Sequence, residues 1–264
     1  MRNDNADISA GATPTPSSGA ADSRRRRLIK GAAAGTGVFL AVQARTALGT
    51  TQCQSPSAMI SGNQSPRPGD GHTCSGGRSP GFWKQPQHFS YWGPSGLQYP
   101  TFDTGITACS TGLGNVTPCD ITNPGTPLGS LLPGAPGQIN PDTGKVMGVW
   151  EVLVWPTNYP TYGKAGCQGK AKEKDIFNGQ GQLMRALIVA YLNAGWFNST
   201  GQDYPITAQQ VIDMWNAVKN GGRYCPPNMS CSGGGMSAQD IISYIEGMYD
   251  INADINVNLC KTQY

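Results

Sequence analysis

The sequence predicts a mainly α, loop-rich single domain, stapled by disulfides around one central buried helix at about residues 183–194, with two or three further helices. Residues 183–194 are strong helix formers and are apolar on nearly every face, so this helix requires burial all round. All eight cysteines follow residue 49. The 36 glycines and 20 prolines among 264 residues leave much of the chain to loops.

The first 49 residues predict a twin-arginine export signal. Arg25 and Arg26 stand before Leu28-Ile29 and a short, weakly apolar stretch at 31–42. Small residues at the −3 and −1 positions place cleavage after Ala44 or Gly49. An uncleaved membrane anchor is the alternative, although a span needs about 20 apolar residues. Residues 1–22 are polar and predict a disordered extension of the signal.

The positive net charge of the chain comes from this predicted signal segment. Seven of the 19 basic and three of the 16 acidic residues lie within residues 1–49, which leaves a net charge of about −1 on the rest. A near-neutral body argues against nucleic acid or an anionic membrane surface as a partner. No stable membrane span is expected after the signal is cleaved.

The cysteines predict four disulfides, because their number is even and an exported chain enters an oxidising compartment. The short loops Cys109–Cys119 and Cys225–Cys231 are the first pairings to test. A zinc site is the alternative, but the sequence has no Cys-x-x-Cys pair and only two histidines. The eight are Cys53, Cys74, Cys109, Cys119, Cys167, Cys225, Cys231 and Cys260.

Residues 50–80 are rich in Ser, Gly and Pro and predict an extended leader, so the folded domain is expected at 81–264. That domain begins with clustered aromatic residues. They could fill a core or form a platform on which sugar rings stack, and the core interpretation is favoured because few other apolar residues lie in this half. The candidate ligand-binding residues are Phe82, Trp83, Tyr91 and Trp92.

The second apolar segment, at 146–155, is compatible with a helix or a strand by length and composition. The charged run at 170–175 predicts a solvated lead-in to the central helix. Gly195 is expected to end that helix in a left-handed conformation.

Two later helices have clear N-terminal signals. Thr207 with Gln210 forms a capping box, and the helix is predicted to continue to about Asn220. Ser237 with Asp240 opens the next helix, which is predicted to end near Tyr249.

Residues 250–259 alternate polar and apolar side chains, which predicts a half-buried strand. Asp250, Asn252 and Asp254 also match the first ligand positions of a calcium loop. Ile255 stands where that loop needs glycine and Lys261 where it needs a bidentate acid, so an edge strand or solvated tail is favoured over a metal site.

Few side chains are candidates for catalysis. The sequence has two histidines and lacks the Gly-x-Ser-x-Gly and His-Glu-x-x-His motifs and a phosphate-cradling Gly loop. Glu151 is the best acid–base candidate because its apolar neighbours would raise its pKa, while pairing with Arg185 or simple exposure is the competing interpretation. A glycosidase would also need a second carboxylate, and Asp103, Asp120 and Asp175 are not ranked by the sequence.

Three motifs resemble a family of secreted bacterial proteins without an assigned activity. That family has Gly-(Tyr/Phe)-Trp-Lys-Asn-His just after a Cys, a Leu-Leu-Arg-His-Ala-Val-Ala-Ala-Leu-Leu-Asn-Ala helix, and Tyr-Pro-Leu-Thr opening another helix. Here they read Gly81-Phe82-Trp83-Lys84-Gln85, Leu183 to Ala194, and Tyr204-Pro205-Ile206-Thr207. The family commonly has a helix upstream of the central one, so the resemblance favours a helix at 146–155.

The departures from the family pattern concern histidines. Pro86 and Ala186 stand where the family has imidazoles, so any metal or acid–base role of those groups is missing here. The resemblance therefore implies secretion and fold, and it implies no activity.

These observations favour an exported, non-enzymatic structural or interaction protein of the cell surface or of secreted material, with no cofactor. Its partner would be a protein or a polysaccharide. The alternatives are a carbohydrate-binding protein that uses the aromatic platform and an extracellular hydrolase that uses Glu151.

Overall fold

The computed structural model describes residues 55–61, 76–103, 113, 116–163, 167–232 and 234–249, all within the unit Thr51–Tyr264. Within these ranges the fold mixes helices with two small antiparallel sheets of two strands each. The prediction of a mainly α fold was therefore wrong. Short strand pairs supply part of the structure that the sequence indicated only as loop.

The described chain has seven α-helices and two 3₁₀ helices. The α-helices are α1 (Pro56–Ser61), α2 (Pro80–Trp83), α3 (Leu128–Leu131), α4 (Val149–Val154), α5 (Gly181–Ser199), α6 (Ala208–Val218) and α7 (Ala238–Glu246). The 3₁₀ helices are Pro86–Ser95 and Pro118–Asp120. The strands are β1 (Thr101–Phe102), β2 (Ile121–Asn123), β3 (Tyr159–Thr161) and β4 (Lys172–Lys174). No described helix has both the length and the apolar character needed to cross a bilayer.

The central helix is α5, which confirms the predicted buried helix at 183–194 and extends it at both ends. It packs against the longer 3₁₀ helix and against α4, α6 and α7. The predicted stop at Gly195 is wrong, because the helix continues to Ser199. Gly195 instead permits close packing, since a Cβ at this position would overlap the Cα of Ser95 in the 3₁₀ helix.

Helices α6 and α7 begin where the sequence predicted. The Thr207 hydroxyl accepts a hydrogen bond from the Gln210 amide at 3.2 Å, and Gln210 Oε1 accepts one from the Thr207 amide at 2.8 Å. Ser237 and Asp240 make the same reciprocal pair at the start of α7. Each pair satisfies backbone N–H groups that a helix start otherwise leaves without partners.

The segment 146–155 contains both kinds of structure. Val146 pairs with Ile139 in an isolated antiparallel bridge, and helix α4 follows over Val149–Val154. The charged run at 170–175 is exposed as predicted, but its centre is strand β4. β4 pairs with β3 so that Thr161 lies opposite Lys172 and Tyr159 opposite Lys174.

Two disulfides lie in the described chain. Cys225–Cys231 is confirmed. Cys119 bonds to Cys167 across 48 residues, so the expected pairing with Cys109 is wrong. A disulfide needs two Cα atoms at about 4.4–6.8 Å, and folding brings Cys119 and Cys167 to 5.8 Å despite their distance in sequence. Cys53, Cys74, Cys109 and Cys260 lie outside the described residues.

Candidate functional site

The best predicted acid–base residue, Glu151, lies in the protein interior. It occupies the third position of α4, and only 3% of its surface is exposed. Gly148, whose φ of −90° and ψ of 160° are extended, caps the helix without a side chain of its own. The Glu151 carboxylate therefore reaches back to the cap and accepts a hydrogen bond from the Gly148 amide at 2.8 Å.

The other Glu151 oxygen accepts a hydrogen bond from the Tyr159 hydroxyl at 2.6 Å. Asn140 Nδ2 donates to that same hydroxyl at 2.8 Å. Glu151 thus joins helix α4 to strand β3 and to the turn that begins at Asn140. This arrangement corrects both competing interpretations of Glu151, since its hydrogen-bond partners are Tyr159 and Gly148 and its side chain is not exposed.

Burial raises the pKa of the Glu151 carboxyl group, and the hydrogen bonds from Tyr159 and Gly148 offset part of that rise. Burial also raises the pKa of the Tyr159 hydroxyl, with the nearby Glu151 charge acting in the same direction. A phenol that is harder to ionise remains a hydrogen-bond donor to the carboxylate. The pair is thus suited to holding one fixed hydrogen bond.

Two further residues of this site, Asn140 and Asp142, were not predicted from the sequence. Asn140 Oδ1 accepts hydrogen bonds from the amides of Asp142 at 2.9 Å and Thr143 at 3.1 Å. The Asp142 carboxylate accepts two more, from the amides of Tyr162 at 2.7 Å and Gly163 at 2.8 Å. The only sequence signal for these hydrogen bonds is the spacing of Asn140 and Asp142, which lie two residues apart in a turn that contains Pro and Gly.

We refer to Asn140, Asp142, Glu151 and Tyr159 as the Glu151 network. All four side chains are buried. Each carboxylate oxygen of its two acids accepts a hydrogen bond from within the chain. In this arrangement Asp142 holds the turn to the chain after β3, and Glu151 holds α4 to β3.

The predicted aromatic platform lies in the core. Phe82, Trp83, Tyr91 and Trp92 are between 0% and 8% exposed. Phe82 stacks on His88 with ring centroids 3.7 Å apart, and His88 Nδ1 donates to the Phe82 carbonyl at 2.8 Å. Sugar stacking requires an open ring face. Their burial favours the core interpretation of these residues.

The indole N–H groups of the four buried tryptophans all have acceptors inside the protein. Trp92 donates to the Trp83 carbonyl at 3.1 Å and Trp150 to the Lys84 carbonyl at 2.9 Å. Trp215 donates to the Pro133 carbonyl at 3.0 Å. Each indole therefore combines a large buried area with a fixed hydrogen bond, which ties α4 and α6 to neighbouring loops and the 3₁₀ helix Pro86–Ser95 to α2.

The fourth indole leads to a buried polar centre at Asn193, which is completely inaccessible. Trp83 Nε1 and the Arg78 amide donate to Asn193 Oδ1 at 3.0 and 2.9 Å, and Asn193 Nδ2 donates to the Arg78 carbonyl at 3.0 Å. Burial raises the pKa of Tyr204, and the Tyr204 and Asn193 side chains both lie against Gly77. The three motifs quoted for the family resemblance thus meet at one side chain.

No set of three potential metal-ligating side chains lies together in the part of the chain that the structure describes. The calcium-loop candidates Asp250, Asn252 and Asp254 lie outside it. Comparison with known proteins finds no matching family model, no matching curated protein and no matching solved structure.

Proposed function

We propose that this chain is an exported structural or interaction protein of the cell surface or of secreted material, delivered by the twin-arginine route. Its core provides a rigid body, and its partners are a protein or a polysaccharide outside the cytoplasm. The two disulfides are compatible with an oxidising destination. The Arg25-Arg26 pair ahead of a short apolar stretch supports the route.

The observation that carries the proposal is the use of the Glu151 network. Both Glu151 oxygens accept hydrogen bonds from within the chain, and the carboxylate caps the helix on which it stands. A general acid needs its proton within about 3 Å of a substrate atom. Glu151 instead directs its oxygens at Gly148 and Tyr159, which supports a structural role.

Export is tested by expressing the full chain with Arg25→Lys and Arg26→Lys together and fractionating the cells. The wild-type chain is expected in the periplasm or medium, shortened after Ala44 or Gly49, and the double variant is expected to remain full-length inside. Equal export of both chains would exclude the twin-arginine route.

The non-enzymatic assignment is tested by incubating the exported protein with polysaccharide and peptide substrates. A Glu151→Gln variant is the matched control, because it removes the ionisable group while keeping the side-chain shape. Turnover that wild type supports and Glu151→Gln abolishes would contradict the proposal and reinstate the hydrolase. Absence of turnover by both proteins supports the proposal, and equal turnover by both would contradict it while excluding Glu151 as the catalytic group.

A further inference from the structure

The Cys225–Cys231 disulfide lies in the loop that connects α6 to α7. Cys225 is exposed and Cys231 is half-buried, whereas both Cys119 and Cys167 are half-buried. Exchange of a disulfide begins when an external thiolate attacks one of its sulfur atoms, so the rate depends on access to that atom. Of the two disulfides in the described chain, Cys225–Cys231 is therefore the one that an external thiol reaches more easily.

The base of this loop is closed without the disulfide. Tyr224 and Met236 exchange two backbone hydrogen bonds of 2.8 Å, one in each direction. Arg223 Nη1 donates to the Gly235 carbonyl at 3.0 Å. Both contacts join the chain before the disulfide to the chain after it. Breaking the sulfur–sulfur bond therefore frees only the residues within the loop, because the two ends of the loop stay fastened to each other.

The loop also has its own turn, which holds the two cysteines near each other. Pro226 and Pro227 restrict the backbone φ angles at its start. The Met229 amide donates to the Pro226 carbonyl at 3.3 Å, and Asn228 inside this turn has a φ of 67°, a left-handed conformation that Asn adopts more readily than most residues. These features do not involve the sulfur atoms. The two thiols of a reduced loop therefore remain neighbours and can rejoin.

The Cys119–Cys167 bond has a different place in the fold. It joins the 3₁₀ helix Pro118–Asp120 to the segment between β3 and β4, and helices α3 and α4 lie within its separation of 48 residues. Its loss would remove a covalent link between distant parts of the domain, whereas loss of Cys225–Cys231 affects one surface loop. The two bonds should therefore differ in how readily they are reduced in the folded protein.

We propose that Cys225–Cys231 is a site of reversible thiol–disulfide exchange, which an external dithiol reduces while the domain stays folded. A thiolate of the dithiol attacks Cys225 Sγ, the sulfur–sulfur bond breaks, and Cys231 leaves as a thiolate. The second thiol of the dithiol then displaces Cys225 from the mixed disulfide. Two electrons and the two thiol protons thus pass from the dithiol to the cysteines, and the dithiol itself becomes a disulfide.

The test is partial reduction of the purified, oxidised mature protein with dithiothreitol, followed by alkylation and peptide mapping. We expect Cys225 and Cys231 to become alkylated about tenfold faster than Cys119 and Cys167. Circular dichroism and Trp fluorescence should stay unchanged at that stage, because residues 225–231 contain neither a tryptophan nor a helix. Removal of dithiothreitol and addition of oxidised glutathione should restore the bond.

The control is the variant Cys225→Ser with Cys231→Ser. It should fold as wild type does, and under the same mild conditions it should keep the Cys119–Cys167 bond. Pro227→Gly loosens the exposed turn and should slow re-formation of the Cys225–Cys231 bond about threefold, the effect of its added backbone freedom.

Three results would each overturn the proposal: reduction of both bonds at the same rate, earlier reduction of Cys119–Cys167, and unfolding when only Cys225–Cys231 is reduced. A Cys225–Cys231 bond that resists dithiothreitol until the protein unfolds would overturn it as well. The proposed export is tested separately, since none of these results changes where the chain is found in the cell.

Discussion

Glu151 shows how one buried carboxyl group can serve two elements. One oxygen caps α4 at Gly148, and the other holds Tyr159 on β3. A buried carboxyl group is stable only when its oxygens are hydrogen-bonded. The apolar neighbours of Glu151 made burial one of the alternatives that the sequence offered, but its hydrogen-bond partners depend on a turn and a strand that lie elsewhere in the sequence.

Replacing Glu151 with leucine should destabilise the fold. The change leaves the Gly148 amide and the Tyr159 hydroxyl without an acceptor in a buried site, at a cost of about 3 kcal/mol. Urea denaturation measures the loss. Glu246→Leu, at an exposed position at the end of α7, is the control and should change stability by less than about 0.5 kcal/mol. Equal losses of stability in the two variants would show that Glu151 does not stabilise the fold through its hydrogen bonds to Gly148 and Tyr159.

The raised pKa of Glu151 predicts a pH-dependent stability. Because the folded protein holds this proton more tightly than the unfolded chain does, the contribution of Glu151 is complete below its unfolded pKa of about 4.3. It is lost as the pH rises through the folded pKa. Wild type should therefore lose stability relative to Glu151→Gln as the pH rises above the unfolded pKa, as measured by urea unfolding of both proteins over a series of pH values. A wild type that gains stability relative to the variant over that series would reverse the assigned pKa direction.

At the scale of elements, the helix starts were predictable and the contacts between elements were not. Thr207–Gln210 and Ser237–Asp240 are local signals, and both caps form as predicted. The role of Gly195 was predicted wrongly, because a glycine that ends a helix and a glycine that lets two helices pack closely give the same signal in a single sequence. Only the position of Ser95 distinguishes the two roles.

Alanine at Gly195 should therefore be costly. The added methyl group would overlap Ser95 and separate α5 from the 3₁₀ helix, lowering the free energy of unfolding by about 1–3 kcal/mol. Gly93→Ala is the matched control, because a Cβ at Gly93 meets nothing within 4 Å. Thermal and urea unfolding of the two variants compare them. Equal free energies of unfolding for the two variants would mean that α5 and the 3₁₀ helix Pro86–Ser95 do not pack closely at Gly195.

The two disulfides should contribute unequally. Cys119–Cys167 closes a separation of 48 residues and Cys225–Cys231 one of six, so chain entropy predicts contributions of about 4 and about 2 kcal/mol. The paired Cys→Ser variants, measured by guanidinium unfolding, test this order. A larger loss from the Cys225–Cys231 pair would show that native contacts, and not loop closure, set the contribution.

Across the whole molecule, the sequence predicted the central helix but misjudged the fold class, and the predicted export signal lies outside the described residues. Strands β1 to β4 contain two or three residues each, too few for alternation of polar and apolar side chains to be recognised. The Cys119–Cys167 pairing could not be predicted for a related reason, since Cys167 lies in the segment between β3 and β4 and its position depends on how those strands pair. Local signals therefore predicted where helices α6 and α7 begin, while the long-range strand and cysteine pairings were identified only from the structure.

Export and disulfide formation are tested together by non-reducing peptide mapping, by mass spectrometry, of the chain recovered from the periplasm or medium. We expect an N-terminus after Ala44 or Gly49 and cross-linked peptides that join Cys119 to Cys167 and Cys225 to Cys231. Free thiols at these four cysteines in a full-length chain retained in the cytoplasm would contradict the account.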